Sequence, residues 1–355
     1  METYDLRSDR GEGSDHAATS RDVALLAGVS QSSVCRVFDP KWSDRISPKL
    51  RDRVLSAARE LGYSPNAIAR SLTANRSGII GIIASEDFNE FYFDLVRRIT
   101  NELQKLDMRV MLFNAAPYHD IQQVFRKMTE YRVDGVIATA AAISNVAKPF
   151  YQERTVPMVL VNIYSTEPFC DSVVTDNYNG SRDMAQYLYE RGYRRFAYVS
   201  AENSRYFDVP DRKSGFMDYL VDKPDAHCQC FAGDYSYRSG QEIGRVLLAQ
   251  ETRPDCVFCS GSRMAYGIMD TARQEFGLSI PEDLAVTGYD DLDASALGSY
   301  QLTAVQQNSE QLAKATVEQL LTHINGAGPE EIQSIRVPAS LVIRHSARTK
   351  KEVMD

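Results

Sequence analysis

The chain has 355 residues, 43% hydrophobic and 25% charged, the balance of a soluble globular protein long enough for two or three domains with substantial cores. That balance excludes disordered, collagen-like and disulfide-scaffold classes, and no apolar run approaches the roughly 18 residues of a membrane helix. The net charge of −8 divides unevenly: residues 1–18 carry −3, residues 19–78 carry +5 and the remainder carries −10. A small basic segment on a large acidic body points to one end that meets a polyanion, although by composition alone a solvated face fits equally well. The first 18 residues are polar and mixed in charge, without the apolar stretch of a secretory signal. A flexible tail and a cytoplasmic protein are expected.

From Thr19 the stretch TSRDVALLAGVSQSSVCRVFD carries two short apolar-periodic segments. Val23, Leu26 and Ala27 lie on one, Val34, Val37 and Phe38 on the other, and Ala27-Gly28-Val29-Ser30 joins them. Two helices and a tight turn fit, since Gly28 tolerates a left-handed backbone and Ser30 is placed to cap the second helix. A third helix is predicted from Ser47 as N-cap and Pro48 at the first helical position, with Leu50, Val54, Ala57 and Leu61 on one stripe and Gly62 as its stop. Three short helices around a small apolar core is the helix-turn-helix layout. The second helix then exposes Gln31, Ser32, Ser33 and Arg36, the chemistry for reading base edges in a major groove. Ser64-Pro65-Asn66 starts a further short helix, AIARSLTA, just before the acidic body.

From Ser77 onward, β-rich runs alternate with amphipathic helical stretches: GIIGIIA, FYFDLVRRITNELQKL, RVMLFNA, IQQVFRKMTEYR, DGVIATA and PMVLVN. The alternation resumes after Arg195 with FAYVSA, a helix from Lys213, CQCFAG, a helix from Ser239, DCVFCS, a helix from Arg263 and DLAVTGYDD. Strands separated by helix-length segments call for parallel sheets with helices on both faces, so two doubly wound lobes are predicted. Ligands bind such sheets at the carboxyl ends of the strands, which between two lobes means the cleft.

The six cysteines do not form a metal or disulfide framework. Cys256 and Cys259 have the spacing of a metal knuckle, but a buried DCVFCS strand would point them to opposite faces. Cys228 and Cys230 share a face, yet two thiols are too few for a structural zinc. Buried, reduced, structural thiols are expected. The sequence holds no GxxxxGK, no GxGxxG after a strand, no HExxH and no GxSxG, and its five histidines are scattered. No catalytic or metal site and no cofactor are expected, so the chain is read as a non-enzyme.

Several motifs then resemble the lactose/galactose repressor (LacI/GalR) family. Its signature DVAxxAGVSxxTVSRVL stands here as Asp22-Val23-Ala24, Ala27-Gly28-Val29-Ser30 and Val34-Cys35-Arg36-Val37-Phe38. Its GYxPNxxARxL stands as Gly62-Tyr63-Ser64-Pro65-Asn66 and Ala69-Arg70-Ser71-Leu72. Further matches in the body are Val173-Val174-Thr175-Asp176-Asn177-Tyr178-Asn179-Gly180, Gly233-Asp234-Tyr235-Ser236 and Gly288-Tyr289-Asp290-Asp291, so the resemblance runs from residue 19 to about 346.

The resemblance implies a tail over 1–18, a helix-turn-helix domain over 19–64, a hinge helix and linker over 65–76, and a two-lobed, periplasmic-binding-protein-like core over 77–355. It implies that Gln31, Ser32 and Arg36 read bases, that Thr19, Ser30, Ser33, Ser47, Tyr63 and Asn66 lie against phosphates, and that Ala69 and Leu72 enter the minor groove, Leu72 as a wedge. Phe91, Asn179, Arg212, Tyr235 and Asp290 fall where family members hold a small effector. Arg212 and Asp290 together suit a polyol, sugar or sugar acid. Two departures stand out in the head: Ser33 and Cys35 replace Thr and Ser, and DPKWSD (39–44) lengthens the loop before the third helix. In the core, Gly261-Ser262 followed by Arg263 replaces an Asn-Asp, which tilts the pocket toward an anionic ligand.

The implied protein is a dimeric, effector-controlled transcriptional repressor that binds a pseudopalindromic operator in double-stranded DNA, with no membrane partner. Induction and corepression fit equally. The alternative, a sugar-binding or sugar-converting protein with an incidental basic head, needs an export signal or a catalytic constellation that the sequence does not display. The short charged tail RTKKEVMD lacks the leucine heptads of a tetramerisation helix.

Overall fold

A computed structural model describes residues 18–39, 42, 45–64, 76–85, 90–115, 121–139, 156–163, 168–202, 209–329 and 331–348. The chain divides into two compact units, Met1–Ser77 and Gly78–Asp355.

In the first unit, α1 (Ser20–Ala27), α2 (Gln31–Val37) and α3 (Pro48–Glu60) are each set by their ends. Thr19 and Asp22 form a capping box at the start of α1, and Gly28 closes it in the left-handed conformation with φ 63° and ψ 42°. Ser30 caps α2 by accepting from the Ser33 N–H at 3.2 Å, and Ser47 caps α3 by accepting from the Leu50 N–H at 3.4 Å. Pro48 fills the first turn of α3, where its missing N–H is not needed.

Val23, Ala24, Ala27, Val34, Val37, Val54, Ala57 and Ala58 form the core between the helices. Two leucines expected there are not in it: Leu26 is 48% exposed and Leu61 37% exposed. Val23, Ala24 and Ala27 complete the one-turn stripe of α1, which turns Leu26 outward. Leu61 is the C-cap of α3, past the last residue that follows the helical stripe.

The second unit holds two six-stranded sheets. The first begins with β1 (Ile79–Ser85), α4 (Glu90–Lys105), β2 (Arg109–Ala115), α5 (Ile121–Glu130), β3 (Gly135–Ala138), β4 (Met158–Val161) and β5 (Asp171–Thr175). The second is built from α6 (Asn177–Glu190), β6 (Arg195–Ser200), α7 (Pro210–Val221), β7 (His227–Ala232), α8 (Tyr237–Leu248), β8 (Cys256–Cys259), α9 (Ser262–Gln274), β9 (Ala285–Tyr289) and β10 (Thr303–Gln306). The chain then returns through α10 (Ser309–Ile324) and β11 (Ser334–Val337) to the first sheet, and ends in β12 (Ser340–Val342) on the second.

The strand orders are β11-β5-β4-β3-β1-β2 and β12-β10-β9-β8-β6-β7, parallel except where β12 pairs antiparallel with β10. Lobe 1 is completed by the returning α10, whose Leu312, Val317 and Leu320 share a core with Ile80, Ile82 and Leu95. In lobe 2, α8 and α9 pack at backbone contact. A Cβ on Gly240 would meet the Met264 carbonyl oxygen at 2.2 Å, and one on Gly267 would meet that of Tyr237 at 2.2 Å. Cys256 and Cys259 lie in different core clusters, on opposite faces of β8. The thiols are free and Cys170, Cys256 and Cys259 are buried; Cys35 on α2 and Cys230 on the edge strand β7 are exposed, against the expectation for them.

Candidate nucleic-acid interface and ligand cleft

The N-terminal face of α2 carries the residues expected to read DNA, and Gln31, Ser32 and Arg36 are all exposed. Gln31 donates one amide N–H to the Ser20 hydroxyl at 2.9 Å, which leaves its second N–H and its carbonyl oxygen to form the pair that matches adenine. The Ser30 hydroxyl lies 2.8 Å from that of Ser32 and 2.9 Å from that of Ser33. Three hydroxyl protons serve these two contacts, so one proton remains to donate outward. The Arg36 guanidinium lies 4.9 Å from the centroid of the Trp42 ring.

The Thr19 hydroxyl is engaged differently. It donates to Asp22 Oδ2 at 2.7 Å, and the Thr19 backbone N–H donates to the same oxygen at 2.8 Å. These bonds hold the Asp22 carboxyl below the usual carboxylate range. A phosphate at this corner would have to compete with Asp22 for the Thr19 proton. Tyr63 packs edge-on against Phe38, ring centroids 5.7 Å apart. Asn66, Ala69 and Leu72 lie outside the described residues.

In the second unit, polar side chains converge at the carboxyl ends of strands from both sheets. Arg212, from the first turn of α7, is buried and donates to Asn177 Oδ1 at 2.8 Å, the Ser260 carbonyl oxygen at 2.6 Å and Asp290 Oδ1 at 3.3 Å. Its guanidinium also lies 3.6 Å from the Tyr289 ring centroid. Burial alone would pull its pKa down, but the Asp290 carboxylate and the surrounding tyrosines outweigh that and raise it. Asp290 takes a second bond on the same oxygen, from Gln307 Nε2 at 2.7 Å. Among the described residues its Oδ2 is left to accept from a ligand hydroxyl. The Gln307 carbonyl oxygen in turn accepts from Asn162 Nδ2 at 3.0 Å and Thr175 Oγ1 at 2.6 Å, and these two stand at the ends of β4 and β5. One hydrogen-bonded network therefore spans the two lobes.

Beside this network a recess of about 160 Å³ is lined by Tyr198, Ser200, Lys213, Tyr235 and Ser260, among others. The Ser260 hydroxyl is buried there with no hydrogen-bond partner among the described residues. Lys213 pairs with Glu202 at 2.6 Å, which draws the Glu202 carboxyl below its usual range. Tyr235 is held in the left-handed region at φ 68°, and its ring fills the space over Gly261, where a Cβ would meet the ring at 2.6 Å. At the Gly261-Ser262-Arg263 departure, the Tyr235 ring thus fills the space beside Gly261, Ser262 is buried against the Tyr289 carbonyl, and Arg263, the cation behind the expected anionic tilt, is exposed.

The structure thus brings Arg212, Tyr235 and Asp290 together and sets two other expected residues apart. Asn179 is exposed and its amide bonds Asp176 Oδ2 at 2.6 Å, within its own helix terminus. Asn177, two residues earlier, is the asparagine that reaches Arg212, because its side chain points to the buried face of α6. Phe91 is buried in the lobe 1 core, edge-on to Tyr92 with centroids 5.3 Å apart. Tyr92 is the ring that feels the cleft. Burial raises its pKa, Arg212 opposes the rise, and Asp290 and Tyr235 reinforce it. Sequence reasoning missed Tyr92, Asn177, Ser260 and Gln307; only the strand-end positions of the last two offered a signal.

The family model described as bacterial regulatory proteins of the lacI family matches residues 19–66, and the model for periplasmic binding proteins and the sugar binding domain of the LacI family matches residues 77–345. The HTH-type transcriptional repressor PurR of Erwinia tasmaniensis is 31% identical over 334 residues, 93% of this chain and 96% of that protein. PurR of Klebsiella pneumoniae is 30% identical over 337 residues, again 93% of this chain and 96% of that protein. Among solved structures, a Lac repressor dimer bound to operator and the anti-inducer ONPF aligns with a TM-score of 0.80 over 94% of this chain and 100% of that one. At 24% identity that likeness speaks for the fold. A complex of the transcriptional regulator CelR with cellobiose aligns at a TM-score of 0.67 and 26% identity, over 93% of this chain and 99% of that one.

Proposed function

The chain belongs to the LacI family of bacterial regulatory proteins, and on that premise we propose that it is a cytoplasmic transcriptional repressor whose dimer binds a pseudopalindromic operator under control of a small hydroxylated effector. The head comprises residues 19–64, the hinge 65–76 and the core 77–355. Gln31, Ser32 and Arg36 read bases, while Ser30, Ser33, Ser47, Tyr63 and Asn66 position the head on phosphates. The observation that carries this reading is the exposed, polar N-terminal face of α2, itself capped and packed against the capped helices α1 and α3. The PurR repressors that the chain resembles over nearly their whole length support repression.

The effector sits between the lobes, against Arg212, Tyr235, Ser260 and Asp290, whose Oδ2 has no partner among the described residues. These groups suit a sugar or related polyol: a carboxylate oxygen to accept from hydroxyls, guanidinium N–H groups to donate and rings to stack. A ligand that favours one alignment of the lobes shifts the core between two states, and its coupling to DNA affinity equals its differential affinity for them. Dimerisation is supported by the edge strands β2 and β7 and by apolar side chains left in solvent on lobe 1, with Phe93 70% and Leu112 57% exposed.

Selection of binding sites from a random duplex pool at fixed salt tests the reading. Enrichment of a two-fold symmetric sequence is the expected result. A pool that stays unenriched, both without ligand and across a panel of sugars, overturns it.

A further inference from the structure

The segment that lengthens the loop between α2 and α3 carries Trp42, the single tryptophan of the chain. Its backbone N–H donates to the Asp39 carbonyl oxygen at 3.0 Å, two residues past the end of α2. The indole is half-buried. Two guanidinium groups approach it, Arg36 at 4.9 Å and Arg45 at 5.6 Å from the ring centroid. Both arginines are exposed.

The chemistry of this contact differs from an ion pair in one decisive respect. A carboxylate would hold Arg36 through its N–H fork, the same groups that match the two acceptors of guanine. An aromatic face holds the guanidinium through its charge and plane and leaves the N–H groups unspent. A long, exposed arginine is thereby ordered before it meets DNA without losing its donors. Arg45 adds a second positive charge on the same ring, and the repulsion between the two cations is relieved when an anion arrives. DNA supplies one in its phosphates.

We infer that Trp42 is a positioning residue for Arg36: the inserted loop stacks the arginine on its indole and so sets which base it reads, with Arg45 supplying charge to the adjacent backbone. The inference rests on the reading that the exposed face of α2 meets DNA.

The test compares the full-length protein with Trp42→Leu, Trp42→Phe, Arg36→Ala and the Trp42→Leu/Arg36→Ala double variant, by site selection and by titration of the selected operator at one salt concentration. Trp42→Leu is expected to relax preference at the same base position as Arg36→Ala. It should weaken operator binding about 3- to 10-fold and leave mismatched DNA unaffected. Phe should restore part of the loss, and the double variant should be no weaker than Arg36→Ala alone. Because the chain has one tryptophan, its emission reports the contact directly. Operator should shift the emission of the wild type and shift that of Arg36→Ala less, by the part due to Arg45 alone.

If Trp42→Leu keeps the wild-type preference, or weakens all sequences equally, the positioning role is wrong while the reading of α2 stands. If Arg36→Ala leaves the selected sequence unchanged, Arg36 reads no base and the inference falls while α2 keeps Gln31 and Ser32; if the wild type selects none, the reading of α2 fails as well.

Discussion

Gln307 donates to Asp290 at 2.7 Å while its carbonyl oxygen accepts from Thr175 at 2.6 Å, so one buried amide is bonded to a strand end of each lobe. A side chain at a lobe crossing that satisfies both partners fixes their alignment more tightly than apolar packing would, because each broken bond leaves a polar group in a dry site. Gln307→Leu should therefore destabilise the core by about 1–3 kcal/mol for each buried group left unpaired. It should also blunt the response of DNA binding to effector. Denaturant unfolding checks the first point, and a loss under about 1 kcal/mol would show that the alignment does not depend on this amide.

Ser260 offers the opposite case. Its hydroxyl has no hydrogen-bond partner among the described residues and Ser260 lines the recess, so Ser260→Ala is expected to remove little that the folded protein uses. Stability is expected to stay within about 0.5 kcal/mol of wild type. Affinity for the effector should fall about 2- to 10-fold, the worth of one net hydrogen bond. Thermal-shift titration of both proteins with a sugar panel reads both quantities.

Packing at the α8–α9 contact leaves no room for a methyl group. Gly267→Ala places a Cβ 2.2 Å from the Tyr237 carbonyl oxygen, which belongs to backbone and cannot swing away. A loss of about 1–3 kcal/mol or more is expected from the overpacking. Gly298→Ala, in open space, should be close to neutral. Parallel thermal melts distinguish a packing constraint from a general intolerance of alanine.

Acid should act on the head through Asp22. Thr19 lowers the carboxyl in the folded state, so the ionised form contributes stability above the unfolded value of about 3.9. That contribution is lost as pH falls through the lower folded value. Asp22→Asn should remove this part of the acid transition. Trp42 emission followed from pH 6 down to 2 checks it, and identical curves for both proteins would refute it.

Much of the architecture is written in local signals. Thr19, Gly28, Ser30 and Pro48 each act within one turn of helix, and an apolar run such as GIIGIIA reports its own burial. Phase is harder to read. Leu26 and Ala24 are both apolar on a short helix, and only the neighbouring helices decide which faces inward. The same limit separates Asn177 from Asn179 and Tyr92 from Phe91, adjacent candidates that helix rotation sends to different places. Gln307 and Ser260 showed only that they stand at strand ends, because their roles depend on strands far away in sequence that end at the same point in space.

The late return of the chain to its first sheet bears on how the protein is made. Synthesis completes the three helices of the head once Glu60 has emerged, yet lobe 1 waits for α10 and β11, and lobe 2 waits for β12. Until then the apolar faces that Leu312, Val317 and Leu320 will cover stay open to solvent, at the stage when nascent chains are most prone to aggregate. A premature stop after Glu60 and before Ser309 would therefore leave both lobes unfinished while the segment that carries α2 is released intact. Such a fragment would keep the residues proposed to touch DNA and lack the finished lobes proposed to regulate them.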